Sequence, residues 1–167
     1  YCTVCHRMLP FFTASALSGG AFLWRPWWLL GVLTGGAVLH GAFEWAEATR
    51  WRWLVDAPMA LLAGAVVWRW GLMQSLANRL LAMLHLGFVW LAIGYLLGAV
   101  QSLLALAGIA ALGLAPLHAV TIGFLGSLML AMVTRVTLGH SGRTLAADSI
   151  AWWTFVAFQP VAVMRAI

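Results

Sequence analysis

Lysine is absent from the sequence, and charged residues of any kind are scarce. Only 8% of the 167 residues are charged, as nine arginines and four acidic residues. A soluble domain usually has about 25% charged residues, so this shortage excludes a soluble globular protein. The arginines are scattered, which excludes the clustered basic patch of a nucleic-acid-binding protein. We therefore assign the net charge of +5 to loops and helix ends of a membrane protein.

Cysteine is also nearly absent. The two cysteines both lie within the first five residues, which excludes a disulfide framework. No secretory signal peptide is recognisable. The chain begins at Tyr1 and stops at Ile167 inside an apolar stretch, so we expect it to be a fragment of a longer protein.

Apolar residues dominate what remains, at 64% of the chain. About 20 apolar residues cross the 30 Å hydrocarbon core of a bilayer, and arginines and turn residues divide the sequence into segments of about that length. The sequence predicts an all-α, polytopic transmembrane helical bundle, a single domain over 1–167, surrounded by the lipid bilayer. The six predicted spans are 8–24, 27–49, 53–70, 80–103, 114–136 and a last one from 149 onward.

Six spans would place the connecting segments on two sides of the membrane. The first side holds the amino terminus and the loops at 49–53 and 108–113, and the second holds those at 24–27, 69–79 and 138–148. The arginines divide almost evenly between the two sides, so the positive-inside rule assigns no orientation. Gly94 and Gly98 form a G-x-x-x-G pair, which is typical of close helix packing in lipid.

Polar residues recur at helical spacing in the second span. His40, Glu44 and Glu47 stand at i, i+4 and i+7, so they share one helix face. A titratable side chain inside a span costs several kcal/mol unless it is paired. A metal site, a proton relay and a set of ion pairs are all compatible with this face. Two oppositely charged pairs at helical spacing follow, Glu47 with Arg50 and Arg52 with Asp56.

Further histidines lie near the predicted membrane faces. His85 and His140 are expected on the second side, whereas His118 is expected on the first. His118 and His140 are 22 residues apart (140 − 118), about 30 Å along a continuous helix, so they cannot share one metal. His85 could instead meet His140, and His118 could meet His40 or His6. Neutral imidazole suits haem iron, copper and zinc.

The first residues fit a short haem-attachment pattern. Cys2, Cys5 and His6 form C-x-x-C-H, in which two thiols hold a c-type haem and the histidine ligates its iron. Covalent haem, a labile thiol pair or half a metal site, and inert thiols remain open. We favour inert thiols, because the pattern is short.

The densest polar stretch runs over 132–143. Arg135 and Arg143 bracket a Gly-His-Ser-Gly turn that contains His140. Guanidinium groups bind carboxylates or haem propionates with two parallel hydrogen bonds. The polar density favours a functional segment over an ordinary basic loop.

Three segments resemble the NnrS family. Residues 7–13, Arg-Met-Leu-Pro-Phe-Phe-Thr, resemble its R-x-I/L-P-F-F-T signature. Residues 118–126 and 134–143 are similar to its H…G-x-x-G…T-R-x-x-L-G-H-T-G-R pattern, with Ser141 in place of a threonine. His85, within His-Leu-Gly, fits a further family histidine.

The resemblance implies a multi-pass protein of the bacterial inner membrane that binds haem and copper. It also implies a link to nitric oxide metabolism or to protection from nitrosative stress, with nitric oxide or a related small molecule as the ligand. The chain is similar to the carboxyl-terminal half of such proteins, so the missing amino-terminal half is an expected partner. The residues expected to bind the cofactors are His85, His118, His140, Arg135 and Arg143, and those expected to bind a metal are His40, Glu44, His85, His118 and His140.

Our hypothesis places two sites on opposite membrane faces. His85 and His140 would contribute to one site on the second side, with Arg135 or Arg143 neutralising haem propionates. His118 and His40 would serve another site on the first side. The alternative functions are a proton- or ion-coupled transporter or channel that uses the face with His40 and Glu44, and a structural subunit. The sequence does not decide whether the protein is an enzyme.

Overall fold

The computed structural model describes residues 1–17, 23–142 and 146–166, and within these ranges it contains helices but no strand. The predicted all-α class is therefore confirmed. The long helices are α1 (Cys2–Leu17), α2 (Trp27–Trp45), α3 (Trp53–Arg69), α4 (Arg79–Leu106), α5 (Ala115–His140) and α6 (Ser149–Ala166). Two short helical segments, Thr49–Trp51 and Leu72–Ser75, lie between them.

Local side-chain and backbone features explain where the helices begin and end. Asn78 precedes α4, and its side chain accepts hydrogen bonds from the backbone amides of Leu80 and Leu81, as asparagine at a helix start commonly does. Gly71 and Gly108 have positive φ angles of 91° and 76° just after α3 and α4. Glycine adopts this conformation without a steric penalty, so both helices can stop there.

The length of the helices bears on the six predicted spans. In the described part of the chain, α4 and α5 are long and apolar enough to cross a membrane. Helices α1 and α3 have 16 and 17 residues, about 24 and 26 Å at 1.5 Å per residue, which is short of the roughly 30 Å core. Two candidate membrane spans are supported, and a bundle of six spans is not confirmed.

Two predicted boundaries were wrong. The first helix begins at Cys2, not near residue 8, because Arg7 is tolerated within α1 instead of preceding it. Helix α5 continues to His140, so this histidine ends a helix and does not lie in the loop. Gly142, with a φ angle of 67°, follows this helix end.

Helix α4 lies at the centre of the bundle, and it packs against α1, α3, α5 and α6. Two thirds of its apolar window is buried, compared with one third for α5. The G-x-x-x-G pair lies at close helix contacts, as predicted. Gly94 faces Val120 of α5, and Gly98 faces the carboxylate of Asp56 on α3. A side chain at either glycine would overlap these neighbours, so the lack of a side chain at both positions lets the three helices approach closely.

Helix α5 contains an eight-residue π-helical stretch, Ala119–Gly126. Gly123 within it lies directly against the ring of Trp90 on α4. The same segment forms part of the wall of a cavity near His40. Widened helical turns of this kind are frequent next to functional sites.

Candidate functional site

A charged cluster joins three helices on the first side of the bundle. It consists of His40 and Glu44 on α2, Arg52 and Asp56 at the start of α3, and Gln101 on α4. The side chains of Arg52 and Asp56 are only 1% and 0% exposed. These are the most deeply buried charges in the described part of the chain.

Each charge in the cluster has a partner. His40 Nδ1 donates to Asp56 Oδ1 over 2.7 Å. Arg52 Nε lies 3.1 Å from Asp56 Oδ2, close enough for an ion pair although not aligned as a hydrogen bond. Arg52 also donates to Glu44 and to Gln101. Because buried charges require such compensation, the arrangement fits the ion-pair interpretation of this face.

The described ranges contain no group of three or more His, Cys, Asp or Glu side chains that could hold a metal ion. His40 and Glu44 belong to the same cluster, yet Asp56 and Arg52 already bind them. Metal binding by these two residues therefore stays a prediction.

A central cavity of about 570 Å³ lies between α2, α4 and α5, a size typical of small-molecule sites. Its wall is mainly apolar, with polar side chains of the charged cluster at one end. Since His40 Nδ1 is bound to Asp56, the free Nε2 is the ring nitrogen available to a molecule in the cavity. The start of α1 also borders this cavity. Among the residues that line it are Tyr1, Cys2, His40, Glu44, Tyr95, Leu114, Leu117 and Phe124.

His85 occupies a different place, in the core against α1. Its side chain is 0% exposed, and its Nε2 lies 2.8 Å from Thr13 Oγ1. The Thr13 hydroxyl donates its single hydrogen to the Leu9 carbonyl, so the His85 ring must donate from Nε2. Nδ1 is then an unprotonated acceptor, and it has no hydrogen-bond partner among the described residues. A buried polar atom without a partner is unfavourable, so an ordered water, an ion or a ligand is expected beside it.

Arg135 lies beside the same turn of α1. Its guanidinium group stacks over the ring of Phe12 at 3.6 Å, and Phe12 directly precedes Thr13. We call Phe12, Thr13, His85 and Arg135 the second-side cluster. It combines an imidazole with a free nitrogen and a half-buried positive charge.

A comparison with known protein families shows which family the chain belongs to. The NnrS protein family matches the chain over residues 1–167. The chain belongs to the NnrS family. This membership links it to the response to nitric oxide and to the membrane, in agreement with α4 and α5. No curated protein and no solved structure matches the chain.

Residues from three segments that resemble the NnrS pattern make contacts around one turn of α1. Thr13 of the first segment contacts His85, and its neighbour Phe12 contacts Arg135 of the segment 134–143. His118, from the same pattern, contacts α6 instead. The structure therefore links parts of these segments through α1.

His140, which was predicted to share a site with His85, lies in a different environment. His140 is exposed at the last residue of α5, whereas His85 is buried within α4. Arg143 lies outside the described residues. The structure thus joins His85 with Thr13, and Arg135 with Phe12, while a site shared by His85 and His140 stays a prediction.

The remaining histidines are each held by a backbone carbonyl. His118 Nδ1 donates to the carbonyl of Arg165 on α6 over 2.8 Å, so its contact is with α6, and a pairing with His40 stays a prediction. His6 Nε2 donates to the carbonyl of Pro26. Cys5 is fully buried in the core, which is the packing expected for the favoured inert thiols.

The Arg52–Asp56 pair predicted from its i, i+4 spacing is confirmed. Sequence reasoning did not single out Thr13, Gln101, or the central position of this pair in the charged cluster. The polar Gln101 within an apolar helix was a usable signal. Thr13 could have been found because it ends the first NnrS signature. None of these signals indicates which distant residue each side chain contacts.

Proposed function

We propose that this NnrS chain belongs to a haem- and copper-binding protein of the bacterial inner membrane. Its role would be nitric oxide metabolism or resistance to nitrosative stress. The observation that supports this function best is His85, a fully buried imidazole whose Nδ1 has no partner in the described structure. A metal is the ligand that such a nitrogen suits best, since imidazole is the commonest metal ligand in proteins.

The side chains of the second-side cluster have the donor chemistry that a haem needs. Histidine is a common protein ligand of haem iron, and His85 would offer one nitrogen. Arg135 provides a positive charge that suits a propionate. His140 and Arg143 are proposed to contribute from the same side. When bound, the iron supplies a centre that can bind nitric oxide.

The protein's own contribution is to hold the ligand nitrogen ready. Thr13 accepts a hydrogen bond from the Nε2–H group and so fixes which nitrogen is free, as hydrogen-bond partners of metal-binding histidines commonly do. Apolar residues of α1, α4 and α5 exclude water from His85. We propose copper as a second cofactor, with His118 as a candidate ligand, because its Nδ1 is similarly held by a carbonyl.

The test is the visible absorption spectrum and metal content of the purified full-length protein. We expect the haem band to be lost when His85 and His140 are both replaced by alanine. His6→Ala is the matched control, because His6 is also buried with an unpartnered Nδ1, and the band should persist there. Survival of the band in the double variant would show that the second-side assignment is wrong.

A second candidate function is proton- or ion-coupled transport, which the charged cluster favours. Its linked groups extend from Glu44, whose side chain is 51% exposed, to His40 at the central cavity. Buried ionisable networks in membrane proteins commonly mark proton or ion paths. If the purified protein contains neither haem nor copper, and if Asp56→Asn abolishes proton flux in vesicles, transport is the better function.

A further inference from the structure

Exposed tryptophans lie at both ends of the pair of helices α2 and α3. Trp27 and Trp68, on the second side, are 86% and 66% exposed. Trp45 and Trp51 are exposed at the opposite ends, and apolar side chains such as Leu61 are exposed between the two levels. Tryptophan at both limits of an apolar surface is typical of the two head-group levels of a bilayer. This pattern indicates that Trp27 and Trp68 lie near the lipid head groups of the second side.

Two arginines lie on the same surface. Arg25 and Arg69 are both exposed, and the Arg69 guanidinium group stacks over the ring of Trp24 at 5.1 Å. Trp24 directly precedes Arg25, and its carbonyl accepts a hydrogen bond from Trp70 Nε1, which fixes the backbone there. Stacking uses the flat face of a guanidinium group, so the N–H groups at its edge remain available as donors. We call this group the arginine–tryptophan surface, and it consists of Trp24, Arg25, Trp27, Trp68 and Arg69.

The acidic residues that could neutralise these arginines lie elsewhere. The chain contains only four acidic residues, and three of them lie on the first side, in or beside the charged cluster. Asp56 and Arg69 are 13 residues apart in α3 (69 − 56), which is about 20 Å along the helix and beyond the Debye length of about 8 Å. Asp148, the fourth, bonds a backbone amide at the start of α6. The ion pairs of the described residues all lie in the charged cluster, so none of them involves Arg25 or Arg69.

We propose that the arginine–tryptophan surface binds the phosphate head group of an anionic phospholipid. Arg25 and Arg69 contact the phosphate, because guanidinium groups donate paired hydrogen bonds to its oxygens. The exposed tryptophan rings lie beside the glycerol and the first part of the acyl chains, which favours a lipid over a soluble anion. A zwitterionic lipid binds less well, since its own ammonium group already neutralises its phosphate. The surface is separate from both the second-side cluster and the central cavity.

Native mass spectrometry of the full-length protein in detergent tests the surface by measuring the Kd of added phosphatidylglycerol. The double variant Arg25→Gln, Arg69→Gln should bind about 25-fold more weakly, because each arginine near a membrane surface contributes about fivefold. The matched control is Arg50→Gln, Arg165→Gln, which removes two exposed arginines from the first side and should leave the Kd unchanged. Equal weakening in the two double variants would contradict the proposal.

A comparison of lipids tests the same surface without any substitution. The unmodified protein should bind phosphatidylglycerol more tightly than phosphatidylethanolamine with the same acyl chains, and inorganic phosphate should not displace the bound lipid. Equal binding of the two lipids would overturn the proposal, and it would indicate that another part of the protein covers the surface. Displacement by inorganic phosphate would overturn it as well, because the site would then take a soluble anion. Neither measurement depends on metal content, so failure of the proposed function would be distinguishable.

Discussion

Thr13 has one hydroxyl hydrogen, and the acceptor of that hydrogen determines which ring nitrogen of His85 is protonated. Because that hydrogen is donated to the Leu9 carbonyl, the imidazole must donate from Nε2. A threonine at position 13 therefore makes Nδ1 the free nitrogen. At the residue scale, the proposed function depends on this single polar contact inside an apolar core.

Thr13→Val is expected to leave the Nε2 proton of His85 without an acceptor. Valine has nearly the same shape, so the loss is that of a buried hydrogen bond, about 1–3 kcal/mol in the free energy of unfolding. Chemical unfolding in detergent, together with the haem band, measures both consequences. Thr121→Val is the control, because the Thr121 hydroxyl bonds only the Leu117 carbonyl on an exposed surface. Equal stability of the two variants would contradict the account of Thr13.

Asp56→Ala removes the carboxylate that lies between His40 and Arg52. The buried Arg52 charge would lose its closest compensation, and such losses cost about 3–5 kcal/mol. We expect a large decrease in the denaturant concentration at the unfolding midpoint. Asp148→Asn should be close to neutral, since Asp148 is exposed and bonds the amide of Ala151, and asparagine serves equally well at a helix start. A neutral Asp56→Ala variant would show that the charged cluster contributes little.

At the scale of the helices, the close approach of neighbouring helices depends on glycines that leave space for the side chains facing them. Gly98→Ala would place a methyl group against the Asp56 carboxylate, which has no room to move between α3 and α4. We predict a destabilisation of about 1–3 kcal/mol from overpacking. Gly64→Ala in α3 is the control, because nothing lies within 4 Å of that position. It should be stabilising by up to about 1 kcal/mol, since alanine favours helices.

The helices could be predicted from the sequence to different extents. The bounds of α3 and α4 are close to the predicted ones, because arginines and turn residues such as Gly108 mark them locally. The predicted start of α1 is wrong because Arg7 lies within that helix. The contacts of Arg52 with Glu44 and Gln101 were not predictable, because they depend on how three helices meet and not on spacing within one of them.

At the scale of the whole molecule, the account requires α4 and α5 to cross a membrane. Both are long and apolar, and family membership is consistent with that location. Expressed in bacteria, the protein should remain in the membrane pellet after washing with alkaline carbonate, which removes peripheral proteins. Leu91→Arg, near the middle of α4, should reduce the inserted fraction, because a central arginine costs about 2.5–3.5 kcal/mol on insertion scales. Full extraction of the unmodified protein by carbonate would contradict a spanning location.

We propose that buried His85, held by Thr13, is a ligand of a haem that binds nitric oxide. The most direct test is the visible spectrum of the purified full-length protein before and after the addition of nitric oxide. The account predicts a haem band that shifts with nitric oxide, and it predicts that the band is absent when His85 and His140 are both replaced by alanine. A haem band of unchanged intensity in that double variant, or a purified protein with no bound haem, would contradict it.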